Sequence, residues 1–211
     1  MPDGAPPDAQ TGAPPTDAKA QAILAQARAA FVEKGFNGAS MQDLARAAGM
    51  SAGNFYRYFP SKAAIVEALI ARDLAEIEGV FQAIAASPDP LAALKAALRG
   101  EMERKCEDDD DLWGEIFANA ARKPEIGAIL ARMDDVITRR MAHALGLAAG
   151  LSEADAERAF TVHARAIFII MHGFMSGGAL LGGNDAAVTD LIQRTIYRVM
   201  DDALAESRSP R

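Results

Sequence analysis

Apolar residues recur at intervals of three and four along almost the whole chain, and the alternation that marks a half-buried strand is nearly absent. Ala and Leu dominate those positions, so the 211 residues read as an all-α protein. A chain of this length buries a substantial core without a metal or disulfide to staple it.

Turn and cap residues divide the pattern. A first helix is expected from about Asp17 to Lys34, with Ile23, Leu24, Ala27 and Phe31 on one face and Gly35 as a left-handed stop. Ser40 caps a short helix that ends at Gly49. Ser51 caps a second, running from Ala52 to Phe59, and Pro60 forbids its continuation. Ser61 opens a long helix carrying Val66, Leu69, Ile70, Leu74, Ile77, Phe81 and Ile84 to near Ser87. Further helices are expected at about 90–105, 111–121, 124–146, 153–177 and 187–206. The expected organisation is a disordered tail at 1–16, a helix-turn-helix domain at 17–64, a ligand-binding and dimerisation domain at 65–206, and a short tail at 207–211.

The net charge of -7 would argue against a nucleic-acid partner if it were evenly spread. Residues 17–72 instead hold seven Lys/Arg against four Asp/Glu, so a modestly basic module precedes an acidic one. The segment Ser40–Lys62 carries the sharper signal. Two short helices meet at the Gly49-Met50-Ser51 turn, with small Ala45 letting their backbones approach, which is helix-turn-helix geometry.

The second of these helices is too short to be stable alone. Phe55 and Phe59 are expected to anchor it, leaving Ala52, Gly53, Asn54, Tyr56, Arg57 and Tyr58 outward. On duplex DNA, Ala52 and Gly53 allow close approach to base edges, and Asn54 and Arg57 donate to bases or phosphates. Tyr56 and Tyr58 lie along the sugar-phosphate backbone. Ser40, Gln42, Ser51 and Lys62 complete the expected contacts, Lys62 through charge at a helix N-terminus.

Together with Ile23, Ala27, Phe31, Lys34-Gly35-Phe36, Asp43-Leu44-Ala45, Ala48-Gly49, Phe55-Tyr56, Tyr58-Phe59 and Ser61-Lys62, these residues resemble the DNA-binding domain of the tetracycline-repressor (TetR) family over residues 20–75. Phe55 stands where leucine is more usual. The stretch Glu115–Ile126 resembles a segment common in the family's C-terminal domains, with Asn119 in place of a frequent glutamate. The resemblance implies nine helices, a homodimer formed by the last two, and a C-terminal cavity for a small effector.

For that cavity, Trp113, Phe117, Met133, Met141, His163, Phe168, Met171, His172 and Met175 are the candidate lining, soft and apolar enough for an apolar or aromatic effector. Small Ala159, Ala166, Gly173 and Gly177, followed by the Leu191, Ile192, Thr195, Ile196, Val199 stripe, suit a four-helix dimer interface. The expected protein is therefore a cytoplasmic regulator, a repressor that binds a palindromic operator as a dimer and is released by a small effector.

Other chemistries find little in the sequence. Cys106 has no partner for an intrachain disulfide, and Glu107 with Asp108–Asp111 should raise its thiol pKa. That acidic run reads as an exposed loop rather than a cation site. His143, His163 and His172 lack the three- or four-residue spacing of helical metal ligands and read as satisfied core or pocket histidines, so no metal, cofactor or catalytic group is expected. The first residues contain no Lys or Arg and do not read as a signal peptide. The stretch 166–183 contains His172, Ser176 and five glycines and reads as a buried helix with a flexible exit, not a membrane span. An enzyme would need convergent catalytic groups. A protein-binding adaptor would show no steep salt dependence on duplex DNA.

Overall fold

The computed structural model describes residues 18–107, 112–177 and 185–208, all helix or connection. Among these residues the elements are α1 (Ala18–Lys34), α2 (Met41–Ala47), α3 (Ala52–Tyr58), α4 (Lys62–Ala85), α5 (Pro90–Glu107), α6 (Leu112–Ala120), α7 (Pro124–Ala149), α8 (Glu153–Gly177) and α9 (Ala186–Arg208). The tail before Asp17, the aspartate run and the glycine-rich stretch after Gly177 lie outside the described residues.

Local chemistry accounts for most of the boundaries. Ser40, Ser51 and Ser61 each turn a hydroxyl onto the amide three residues ahead, capping α2, α3 and α4. Gly35, Gly49 and Gly150 adopt positive φ where the chain must leave a helix. Between α2 and α3 the Met50 amide donates to Ala45 O at 2.9 Å and the Gly49 amide to Arg46 O at 3.0 Å, so the tight turn is closed by backbone alone. Pro124 opens α7, which runs past Gly146 to Ala149 rather than ending near 146.

Two apolar clusters divide the interior. The first joins Leu24, Ala27 and Phe31 of α1, Leu44, Phe55, Phe59 and the N-terminal half of α4 to Leu112, Ile116, Ile126, Ile129, Leu130 and Met133. The second gathers Ile84, Leu94, Met102, Met141, Leu145, Phe160, Ala164, Ile167, Met171, Ile196 and Met200. α4 spans both, with Val66 and Leu69 in one and Ile84 in the other. Helices α7 and α8 approach closely at Gly146, where a Cβ would stand 2.2 Å from the Ala156 Cβ. Among the described residues, no helix is long and apolar enough to cross a membrane.

Candidate nucleic-acid interface and effector site

The outward face of α3 is set by Phe55 and Phe59. Both rings are almost fully buried, and their centroids lie 5.8 Å apart, which locks the rotation of α3. That rotation leaves Gly53, Asn54, Tyr56 and Arg57 exposed and Ala52 half-buried. A Cβ at Gly53 would meet nothing within 4 Å, so this point of α3 faces open space. Tyr56 is 45% exposed, a large aromatic surface for water to cover.

Tyr58 differs from expectation. It is half-buried and packs on the first cluster, because the ring follows Phe55 toward the core at the last turn of α3.

Helix α2 presents Gln42 to solvent, but Ser40 is engaged within the fold. Its Oγ accepts from the Asp43 amide at 3.1 Å while the Asp43 carboxylate accepts from the Ser40 amide at 3.0 Å, a closed capping box. The Lys34 ammonium, at 2.7 Å, is the foremost cause holding the Asp43 carboxyl well below the usual carboxylate range, with the Ser40 hydroxyl next. Ser51 likewise caps α3 through the Asn54 amide at 3.4 Å.

Lys62 is also turned inward. Its Nζ donates to Phe36 O at 2.7 Å and Asn37 O at 3.2 Å and sits 5.4 Å from the Phe36 ring centre. Burial first, then the Lys123 ammonium, lower its pKa. The carbonyls it meets belong to residues 25 and 26 positions earlier in the chain, partners additional to the phosphate expected from its charge at a helix N-terminus.

Of the nine candidate effector residues, four assemble. Trp113 and Phe117 lie on one face of α6, 6.3 Å apart, and meet α8 where Phe117 is 3.7 Å from the His172 ring and Phe168 is 6.3 Å from it. Met133 belongs to the same cluster as these aromatics. Met141 and Met171 do not join them; both are core residues of the second cluster. Met175 is half-buried farther along α8.

His163 points elsewhere, its Nε2 3.5 Å from a Glu206 oxygen on α9, and its buried Nδ1 has no hydrogen-bond partner, so it is not the satisfied histidine expected. Burial holds His172 below the ordinary imidazole pKa of 6.5, with Asp134 opposing.

Two cavities among the described residues are lined by other side chains. A 90 Å³ cavity lies between α4 and α7, beside Phe81, His143 and the 2.8 Å Glu78–Arg140 ion pair. An open 450 Å³ groove runs between α1 and the α2–α3 turn, flanked by Lys19, Gln26, Met50 and Asn54.

Sequence reasoning passed over Glu115 as a contact. Its Oε2 accepts a short hydrogen bond from the Phe36 amide across 79 residues of chain, and no local signal announces it. An acid in the first turn of a helix reads as ordinary dipole chemistry.

Among the described residues, the most exposed large apolar side chains lie on the outer faces of α8 and α9. Val162 is 78% and Ile169 63% exposed on α8, with Ala159 and Gly173 on the same face; Val188 and Leu191 are 51% and 58% exposed on α9. Ile196 is not part of this face, being wholly buried in the second cluster. Among the described residues, no group of three or more His, Cys, Asp or Glu is placed to hold a metal ion.

Residues 23–69 match the family model described as bacterial regulatory proteins, tetR family. The HTH-type transcriptional regulator UidR of Escherichia coli K12 is 29% identical over 137 residues, covering 63% of this chain and 66% of that protein. The match thus spans just under two thirds of that relative's length. Among solved structures, Salmonella enterica GusR superposes with a TM-score of 0.69 at 23% identity over 89% of this chain and 95% of its own. The SmeT–triclosan complex superposes with a TM-score of 0.66 at 19% identity over 90% and 91%. Both have the same fold.

Proposed function

We propose that this chain, whose residues 23–69 match the tetR family of bacterial regulatory proteins, is a ligand-responsive repressor that binds a palindromic operator as a homodimer in the cytoplasm. The observation that carries the reading is the outward set Gly53, Asn54, Tyr56 and Arg57, held in one orientation by buried Phe55 and Phe59. Such a face offers close approach, amide and guanidinium donors and a phenol to one groove.

Two copies are needed to read a palindrome, with recognition helices about 34 Å apart. The exposed apolar faces of α8 and α9 supply a self-complementary surface for that pairing. The effector is apolar or aromatic and enters between α6 and α8, where Trp113, Phe117, Phe168 and His172 offer ring faces. That triclosan occupies the structurally similar SmeT agrees with an aromatic guest. Rings 3.7 Å apart leave no space for a molecule, so binding must part Phe117 from His172. An effector that prefers the parted state shifts the population away from the DNA-competent one.

The test is titration of purified protein against duplexes tiled from the DNA upstream of its own gene, at two salt concentrations. A tight, salt-sensitive complex on one palindromic tile, with two protomers per site, is expected. Failure on every tile and on a selected pool of random duplexes would overturn the reading.

A further inference from the structure

Resting on that reading, we propose that Glu115 is a positioning residue for the DNA-reading helices and that α6, gripping the connection between α1 and α2, carries the effector signal to them. The connection is held from three sides. Glu115 of α6 accepts from the Phe36 amide. Lys123, at the mouth of α7, donates to Asn37 Oδ1 at 3.2 Å and lies 4.9 Å from the Phe36 ring centre. Lys62 of α4 takes the Phe36 and Asn37 carbonyls.

Gly35 completes the grip. At φ +74 it makes the left-handed exit from α1, and a Cβ there would come 3.3 Å from both Glu115 carboxylate oxygens. The bare backbone is what lets the carboxylate reach the next amide. Three residues beyond Asn37 stands Ser40, the cap of α2, so displacement of this connection displaces the start of the helix-turn-helix.

The other end of the lever is on the same helix. Residues two apart on an α-helix point about 200° from one another, so Glu115 faces the connection while Trp113 and Phe117 face α8. Between them Leu112 and Ile116 are buried in the first cluster, tying the helix to the reading domain's core. A helix of nine residues moves as a unit, so a guest that parts Phe117 from His172 also moves Glu115.

Coupling of this kind is reciprocal: operator binding must perturb α6 even with no effector present. Trp113, the only tryptophan in the chain, sits two residues from Glu115 and reports it directly. The experiment adds unlabelled operator duplex to the full-length protein, follows Trp113 emission, and measures affinity separately by anisotropy of a labelled duplex.

Trp113 emission is expected to change in step with saturation. Glu115→Ala should lose that change and bind about fivefold more weakly, the scale of one largely solvent-exposed charged hydrogen bond. Glu115→Gln, which keeps a carbonyl acceptor, should recover most of both. If Glu115→Ala does not fold, Lys123→Met removes the Asn37 contact and should reduce the emission response in the same direction. A wild-type complex with silent Trp113, or an undiminished response in the folded variants, overturns the proposal while leaving the regulator reading intact. Absence of any duplex binding overturns both.

Discussion

The imidazole of His172 and the ring of Phe117 meet at 3.7 Å between centres, across the seam where α6 leans on α8. Burial in that contact opposes protonation of His172, while Asp134 acts against the effect. With the folded pKa below 6.5, the folded state takes up its proton later than the unfolded chain does. The contribution is therefore neutral above the unfolded pKa. Stability falls as the pH drops below about 6.5, and the loss levels off once the folded pKa is passed. Thermal melts of wild type and His172→Phe between pH 7.5 and 5 should diverge, with the wild type losing more on acidification. Parallel curves would show that His172 is not held neutral by the fold.

Ser40→Ala separates a capping role from a DNA contact. Loss of the Oγ acceptor to the Asp43 amide should cost about 1 kcal/mol in denaturant unfolding. A variant that melts like wild type yet binds operator poorly would assign the hydroxyl to phosphate instead.

The two tyrosines of α3 should behave differently. Tyr56→Ala removes an exposed side chain and should leave stability within about 0.5 kcal/mol while weakening operator binding. Tyr58→Ala removes a ring packed on the first cluster and should cost roughly 1–3 kcal/mol of stability as well. Equilibrium unfolding alongside operator titration distinguishes the two, and equal stability losses would contradict the packing described for α3.

Ile169→Glu, on the exposed face of α8, should shift the assembly toward monomer and, because half-site binding lacks the second recognition helix, weaken operator binding by an order of magnitude or more. Sedimentation velocity at micromolar protein gives the answer. An unchanged dimer would place the interface elsewhere.

Much of the architecture was legible because its punctuation is chemical. Ser40, Ser51 and Ser61 cap, Gly35, Gly49 and Gly150 stop, and Pro60 and Pro124 forbid, so element ends could be read to within about three residues. The outward face of α3 followed from the spacing of Phe55 and Phe59. The direction of long polar side chains was not legible. Lys62 and Glu115 find backbone partners 26 and 79 residues away, and only the packed fold brings these together. Nor could methionine content tell a pocket from a core: Met141 and Met171 satisfy the same compositional signal as Phe117, yet pack into the second cluster.

The first apolar cluster has a consequence for protein engineering. Leu112, Ile116, Ile126, Ile129, Leu130 and Met133 are as much part of the interior of the helix-turn-helix domain as Phe31 or Phe55. A fragment ending near residue 64 would lose nearly all of α4 as well as the bed on α6 and α7, exposing Leu24, Phe31 and Phe55 to water. Grafting a foreign reading head onto this chain thus requires transplanting its matched bed on α6 and α7, and a hybrid spliced at the boundary that composition suggests would inherit two mismatched halves of one core.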